Sequence, residues 1–318
     1  MEKAIREVIT VEKLCKRFVL DRNERGLNPG TLADDRYVAR RLVEAVGQTK
    51  AHELEAAQIR SFLKMASSDS NQRKFYKIGS LIFDFARENR FVMINPFAEI
   101  KRPKVDYTVP GILKPEEFRA MLNAAADADA RNVLAFIALA GFAGLRRDEL
   151  VKDYASDKVL DWSNINWEKR LITVPDDVAK QTTRKSGDRR FIPMEDALIS
   201  WLEPIRKESG NVIGVSEAAF RRVFKAVCDK ARVTPPTNAL RHSFASYWLA
   251  RSQKEGLGRL PVIMGNSEAV VRKLYLESLE PEDGFRWFSL RQSSSISASC
   301  RALDLASYAD LSSAIRVA

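Results

Sequence analysis

The chain has 318 residues, of which 45% are hydrophobic, which is enough for two globular domains or one large one. Its formal net charge of +10 favours a polyanionic partner, although charge alone leaves a basic protein without such a partner equally open. The longest apolar run, near Val133 to Ala143, is too short to span a membrane, so we expect no membrane contact.

Three cysteines and two histidines limit the chemistry that the chain can carry. Cys15, Cys228 and Cys300 are far apart, which argues against a disulfide framework or a zinc site and fits a reducing cytoplasm. His52 and His242 are too few for a His-rich metal site. The first residues lack the apolar segment of a signal peptide. We therefore expect a cytoplasmic protein without a bound metal or cofactor.

The N-terminal third of the chain predicts a small helical domain. The spacing of apolar residues gives four helices, and no strand-like alternation interrupts them. The first helix starts after Thr10, and Thr31 caps the second after a break at Asn28-Pro29-Gly30. The fourth starts after Asn71 and ends at Asn95-Pro96. We place this domain at residues 1–100.

The polar faces of these helices are rich in arginine and lysine. Such faces are most often simply solvated, but with the net charge they also suit a surface that contacts DNA. The residues are Arg36, Arg40, Arg41, Arg73, Lys74 and Lys77. Residues 101–111 are basic, carry two prolines and lack an apolar period, which predicts a linker between two domains.

Residues 112–290 predict a second domain, mainly helical with a small antiparallel sheet, so the expected class is α+β. Pro115 opens a helix, and residues 132–144 are apolar nearly all round, as in a buried helix. From Glu195 onward the chain is mostly helical again, and residues 291–318 predict a C-terminal tail. The predicted strands are Leu160–Trp167, Leu171–Val174 and Arg190–Ile192, and the basic stretch Lys180–Arg189 joins the last two as a hairpin.

Taken one at a time, the polar residues of this domain have ordinary interpretations. Arg146, at the start of a helix, suits phosphate oxygens, but taken alone we favour a surface ion pair with Glu149. Arg241 is open to the same two interpretations. His242 suits a histidine hydrogen-bonded to the backbone, and Tyr275 suits helix packing.

In combination these motifs are specific. Their order resembles that of the tyrosine recombinase, or phage integrase, family, over roughly residues 8–290. The N-terminal helices and the basic linker are similar to the core-binding domain of that family. The order is Gly144-Leu145-Arg146-Arg147-Asp148-Glu149-Leu150, a hairpin lysine, Leu240-Arg241-His242-Ser243-Phe244, Met264-Gly265-Asn266-Ser267 and Tyr275.

The resemblance implies that the chain cuts and rejoins DNA strands. Arg146 and Arg241 would hold the scissile phosphate, and Tyr275 would attack phosphorus and leave a 3′-phosphotyrosyl bond. Two guanidiniums can bind the non-bridging oxygens and stabilise the transition state without a metal. A tyrosyl ester keeps the energy of the broken bond, so rejoining needs no nucleotide cofactor. The resemblance also implies a homotetramer on two double-stranded DNA sites.

The roles of a lysine and two asparagines in the predicted site are left open by the sequence. The family's hairpin lysine protonates the 5′ leaving oxygen, and Lys185 fits its spacing better than the rival Lys180, although both also suit solvated charges. Asn238 stands where the family usually has histidine, and Asn266 where it has histidine or tryptophan. Asparagine hydrogen-bonds a phosphate oxygen but takes no proton near neutral pH, which leaves general-base help for Tyr275 open.

Three functions follow from these observations. We favour an active site-specific recombinase, the integrase of a mobile element, because both arginines, a hairpin lysine and the tyrosine are all present. A DNA-binding protein of the same fold that has lost catalysis is the first alternative, and the two asparagines motivate it. A relaxing topoisomerase with the same tyrosine chemistry is the second, and the separate N-terminal helical domain argues against it.

Overall fold

The structure, a computed structural model, describes residues 7–104, 110–152, 158–179, 189–275 and 279–292. Within these residues the chain is mainly helical with one small antiparallel sheet, which confirms the predicted α+β class. The helices are α1 (Val11–Glu24), α2 (Pro29–Val46), α3 (Ala56–Lys64), α4 (Asp69–Glu88), α5 (Pro115–Asp127), α6 (Arg131–Ala143), α7 (Arg147–Leu150), α8 (Asp196–Leu202), α9 (Glu217–Ala231), α10 (Ala239–Met264), α11 (Glu268–Tyr275) and α12 (Pro281–Phe288). The strands are β1 (Ile165–Asn166), β2 (Leu171–Val174) and β3 (Arg190–Pro193).

Helices α1 to α4 pack around a hydrophobic core that extends over residues 9–100. As predicted, Thr10 caps α1, because its hydroxyl oxygen accepts a hydrogen bond from the backbone N–H of Lys13 at 3.3 Å. Leu14 and Phe18, on the apolar face of α1, are buried in this core. The periodicity of the apolar residues therefore predicted which face of the helix is covered.

The start of α2 differs from the prediction. It begins at Pro29 and not after Thr31, because the side-chain oxygen of Asn28 accepts a hydrogen bond from the backbone N–H of Gly30 at 2.8 Å. Proline suits the first helical position, where its missing N–H would have no partner within the helix. The three residues that we interpreted as a helix break therefore start the helix.

Helix α4 starts earlier and ends earlier than predicted. The hydroxyl of Ser68 caps it by accepting a hydrogen bond from the backbone N–H of Asn71 at 3.3 Å. The helix ends at Glu88, because Arg90 takes a left-handed φ of 60° that no helix continues. Asn95-Pro96, the predicted end, instead begins a separate short 3₁₀ turn.

A second hydrophobic core, over residues 113–290, is built around α6. Every residue of α6 from Val133 to Ala143 is buried, as its uniform apolarity predicted. The indole of Trp287, on α12, stacks on Phe118 with ring centres 4.1 Å apart, and its N–H donates to the backbone oxygen of Gly141 at 2.9 Å. Helix α12 is thereby fixed against α5 and α6.

The sheet has the order β1-β2-β3, and both pairings are antiparallel. Ile172 in the central strand pairs with Ile165 of β1 and with Ile192 of β3. The antiparallel pairing of β2 and β3 agrees with the predicted hairpin. Residues 180–188, which we predicted to join these strands, lie outside the described part of the chain.

The first predicted strand, Leu160–Trp167, is mostly not a strand. Only Ile165–Asn166 pair with β2, because Trp162–Asn164 form a 3₁₀ turn. Asp161 stabilises this turn through a carboxylate oxygen that accepts a hydrogen bond from the backbone N–H of Ser163 at 2.9 Å. A local capping interaction therefore overrode the strand-like composition.

The two hydrophobic cores lie within the two predicted domains, residues 1–100 and 112–290. The domain boundaries themselves, the linker at 101–111 and the tail at 291–318 stay predictions. In the described part of the chain, none of the helices combines the length and the apolarity needed to cross a membrane.

Candidate active site

Arg146 lies at the junction of two helices, as the sequence predicted. Helix α6 ends at Ala143, and Gly144 follows it with a left-handed φ of 63°. Arg146 is the extended residue directly before α7. Its backbone N–H donates to a side-chain oxygen of Glu149 at 2.7 Å, which closes the first turn of α7. The guanidinium is partly exposed and points toward the end of α10.

Gly144 is required at this junction for two reasons. Its φ is left-handed, and a Cβ added there would stand 2.3 Å from the ring of Phe244. We expect Gly144→Ala to destabilise the protein by about 2–5 kcal/mol, from backbone strain plus overpacking. Gly26 is the matched control: its φ is 65°, but no described atom lies within 4 Å of its added Cβ. In thermal melts, equal losses for both alanine variants would contradict the overpacking argument.

Arg241 lies in the first turn of α10 and is buried, with 9% of the residue exposed. Its guanidinium donates hydrogen bonds to the backbone oxygens of Gly144 and, at 2.7 Å, of Met264. A third bond reaches the side-chain Oδ1 of Asn266 at 3.2 Å. Because these acceptors belong to the end of α6 and the end of α10, Arg241 joins two distant parts of the chain.

Arg146 and Arg241 converge on the same oxygen atom. One guanidinium nitrogen of Arg146, Nη2, donates to Oδ1 of Asn266 at 2.7 Å and to the backbone oxygen of Gly265 at 2.7 Å. The amide oxygen of Asn266 is thus held between two positive groups and accepts from both. We call Arg146 and Arg241 the arginine clamp. An oxygen acceptor that bridges two guanidiniums marks a place where an anion would be strongly stabilised.

A fully buried carboxylate lies beneath the clamp. Glu149 has no exposed surface, and it bonds Arg146 and also Arg190, itself 1% exposed. Burial raises the pKa of Glu149, but the hydrogen bonds and charge of Arg190, together with Arg146, outweigh it and hold that pKa below its usual value. Glu149 is therefore ionised at neutral pH.

Sequence reasoning missed the role of this pair. We considered Glu149 only as a surface partner of Arg146, and Arg190 only as the start of a strand. Residues 190, 191 and 192 of β3 are buried, exposed and buried in turn, so Arg190 shares the inward face with Ile192. A charged residue at an inward strand position was the signal that pointed to a buried partner.

The structure describes the other predicted site residues only in part. Asn238 immediately precedes α10 with a left-handed φ of 58°; it is exposed, and its side chain does not cap the helix. Tyr275 is the last residue of α11, and its side chain lies outside what the structure describes. Lys185 and Lys180 both lie outside the described residues. Of the six predicted residues, the structure brings together Arg146, Arg241 and Asn266.

Comparisons with known proteins address the same region. A family model described as "Phage integrase family" matches residues 112–255. The chain is 25% identical over 265 residues to Tyrosine recombinase XerA of Thermococcus onnurineus (strain NA1), covering 79% of this chain and 85% of the relative. Residues 112–255 therefore match the phage integrase family model, and the chain is similar to a tyrosine recombinase over most of its length. The matched span includes both arginines of the clamp and ends before Asn266.

Solved integrases share the fold of this chain. A lambda integrase dimer bound to a COC′ core site superposes with a TM-score of 0.66 at 15% identity, over 92% of this chain and 81% of that one. The Tn1549 transposon integrase, in complex with a circular intermediate DNA, gives a TM-score of 0.64 at 16% identity, over 85% of this chain and 96% of that one. At this identity the likeness establishes the fold.

His242, next to Arg241, is half-buried. Burial lowers the pKa of His242, and the positive charge of Arg241 lowers it further, so the imidazole is neutral at pH 7. A depressed histidine pKa means that the unfolded chain binds the proton more readily, so stability falls as pH drops through about 6.5, the ordinary histidine pKa.

We expect the melting temperature of His242→Gln to depend less on pH between about 7.5 and 5.5 than that of the native protein. Thermal melts of both proteins across this range measure the difference. His52→Gln, at an exposed residue, is the control for loss of a histidine. Identical slopes for the native protein and His242→Gln would contradict the assigned pKa shift.

Proposed function

We propose that the protein is a site-specific DNA recombinase that cuts and rejoins strands through a 3′-phosphotyrosyl intermediate. The observation that carries the proposal is the convergence of Arg146 and Arg241 on Oδ1 of Asn266, at 2.7 and 3.2 Å. A non-bridging oxygen of a scissile phosphate has the acceptor character that this position selects, and it adds a full negative charge. The match of residues 112–255 to the phage integrase family model supports the same reaction.

In the proposed reaction the clamp binds the phosphate and Tyr275 is the nucleophile. The phenolic oxygen bonds to phosphorus while the bond from phosphorus to the 5′ oxygen breaks. The proton of the phenol passes to solvent, and Lys185 gives a proton to the leaving 5′ oxygen. Asn238 and Asn266 offer amide N–H groups to the phosphate oxygens. The reverse reaction with a new 5′ hydroxyl restores Tyr275 and rejoins the strand.

Binding to double-stranded DNA follows from the charge of the chain and from its relatives. Arg36, Arg40 and Lys77 project from the exposed faces of α2 and α4 and suit contacts with the phosphate backbone. Lambda integrase has been solved as a tetramer bound to a Holliday junction. We propose the same assembly here, with the helical domain at residues 1–100 and the domain at 112–290 holding DNA between them through the linker 101–111.

A DNA-binding protein that has lost catalysis is the second candidate. The observation that favours it is the pair Asn238 and Asn266, because a side-chain amide cannot act as a general base near neutral pH. In that case the clamp would bind phosphate without cleavage. The two functions differ in one measurable product, the covalent bond between protein and DNA.

The test uses nicked duplexes that carry candidate sites from the DNA flanking the gene. A nick lets the short product diffuse away and traps the covalent intermediate. We expect the native protein to form an adduct that survives denaturing electrophoresis and Tyr275→Phe to form none while binding the same DNA. A site that the native protein binds specifically without any adduct would contradict the recombinase and favour the second candidate.

A further inference from the structure

We propose that Arg190 is a positioning residue for the clamp: its pairing with Glu149 orients Arg146 and leaves the positive charge of Arg146 for the phosphate. The inference rests on the proposed function, because it assumes that Arg146 binds a phosphate group. Arg190 lies on β3, in a different part of the chain from both arginines of the clamp. It is 1% exposed and Glu149 is fully buried, so neither side chain is placed to touch DNA.

Each oxygen of the Glu149 carboxylate accepts hydrogen bonds from both Arg146 and Arg190. Its Oε1 accepts from Nη1 of Arg146 and from Nη1 of Arg190, each at 2.9 Å. Its Oε2 accepts from the backbone N–H of Arg146 and from Nη2 of Arg190, each at 2.7 Å. Because Arg190 bonds both oxygens, it fixes the plane of the carboxylate. That plane in turn fixes Nη1 of Arg146 and turns Nη2 toward Asn266.

The charges of this group explain why a second arginine is present. Glu149 alone beside Arg146 would be a closed ion pair, with little net charge left for an anion. Arg190 supplies the compensating charge, so the three side chains together carry one net positive charge. Arg241 adds a second. In a buried setting, the one positive charge that Arg190 adds strongly increases the attraction of a nearby phosphate.

Stability alone is a weak reason for burying this pair. Well-packed apolar side chains often replace a buried ion pair without loss, since desolvation offsets the attraction. Among the described residues, Nε of Arg190 also has no hydrogen-bond partner, which adds to the cost of burial. The pair therefore needs a functional explanation, and its direct contact with Arg146 supplies one.

Gly265 shows how closely α10 packs on this group. A Cβ added to Gly265 would stand 2.9 Å from Nη1 of Arg190 and 3.4 Å from Nη1 of Arg146. The glycine, with a left-handed φ of 64°, lets the end of α10 close over both arginines. Its backbone oxygen then accepts from Arg146 at 2.7 Å. Arg190 thus supports the same helix end that completes the clamp.

The test compares Arg190→Met with the double variant Glu149→Gln/Arg190→Met on a nicked site that the native protein cleaves. We expect Arg190→Met to lower the rate of adduct formation about a hundredfold, with a much smaller change in DNA affinity, because an uncompensated carboxylate now neutralises Arg146. The double variant removes that carboxylate charge. We expect the double variant to form adduct at least about tenfold faster than Arg190→Met does. A merely structural role of Arg190 would not produce this recovery.

Each outcome of this test either supports or overturns the inference about Arg190. Equal rates for Arg190→Met and the native protein would overturn the inference, and so would a double variant as slow as Arg190→Met. If Arg190→Met fails to fold, the double variant decides alone, because it holds no unpaired buried charge. A rate within about tenfold of the native rate supports the inference, and any larger loss overturns it. A native protein that forms no adduct contradicts the proposed function instead.

Discussion

Arg241→Met is expected to lower the rate of covalent adduct formation by about 10³-fold or more. In comparable sites, loss of one hydrogen-bond donor to a transition-state oxygen lowers the catalytic rate about 10²–10³-fold. Arg241→Met also removes a positive charge. Arg241 further bonds the backbone oxygens of Gly144 and Met264 and Oδ1 of Asn266. The change therefore loosens both the phosphate contact and the helix ends that shape the clamp.

The controls for this variant separate chemistry from folding. Arg241→Lys keeps the charge but loses the planar fork, so we expect a smaller loss, about 10²-fold, with a melting temperature nearer to the native value. Arg131→Met removes the same charge from an exposed ion pair with Asp129 and should leave the rate unchanged. A folded Arg241→Met protein that forms adduct at the native rate would remove Arg241 from the proposed site.

Asn266→Asp is expected to change stability and activity in opposite directions. A carboxylate at this position would lie between two guanidiniums that now share one amide oxygen, at 2.7 and 3.2 Å. The new ion pairs are partly buried, so we expect a gain of about 1 kcal/mol and a melting temperature higher by about 2–4 °C. The same carboxylate competes with the phosphate for both arginines. We expect adduct formation to fall about 10²-fold or more.

Asn266→Ala is the matched control, because it removes the acceptor without adding a charge. The two guanidiniums then face each other with less compensation, so we expect a slightly lower melting temperature and a smaller loss of rate than in Asn266→Asp. Thermal melts and single-turnover adduct formation on one DNA site measure both effects. An aspartate variant that retains the native rate would show that the phosphate does not bind between Arg146 and Arg241.

Local patterns predicted much of this fold. The uniform apolarity of α6 indicated a buried helix, and Pro115 marked the first position of α5. Errors arose where a polar side chain made a short-range bond that competed with the pattern. The cap at Asn28 moved the start of α2, and the turn held by Asp161 shortened the first strand. Such bonds depend on a single rotamer, which hydrophobic periodicity does not report.

The sequence predicted some residues of the site and not others. The order of Arg146, Arg241 and Asn266 along the chain suggested a common site, and the structure shows that the three side chains are hydrogen-bonded. We expected Asn266 to contact phosphate, whereas in this structure its oxygen bonds the two arginines. The pair of Glu149 and Arg190 was not predicted, because a separation of 41 positions along the chain leaves no local signal.

The most direct test of the account is to identify the amino acid that is covalently bound to DNA. After trapping on a cleavable site, nuclease and trypsin digestion would leave a nucleotide on one peptide. The account predicts a phosphotyrosyl bond at Tyr275, in the peptide from residues 274 to 286 that follows Lys273 and ends at Arg286. The nucleotide should be attached through its 3′ end. Attachment to another residue, or through a 5′ phosphate, would contradict the central claim.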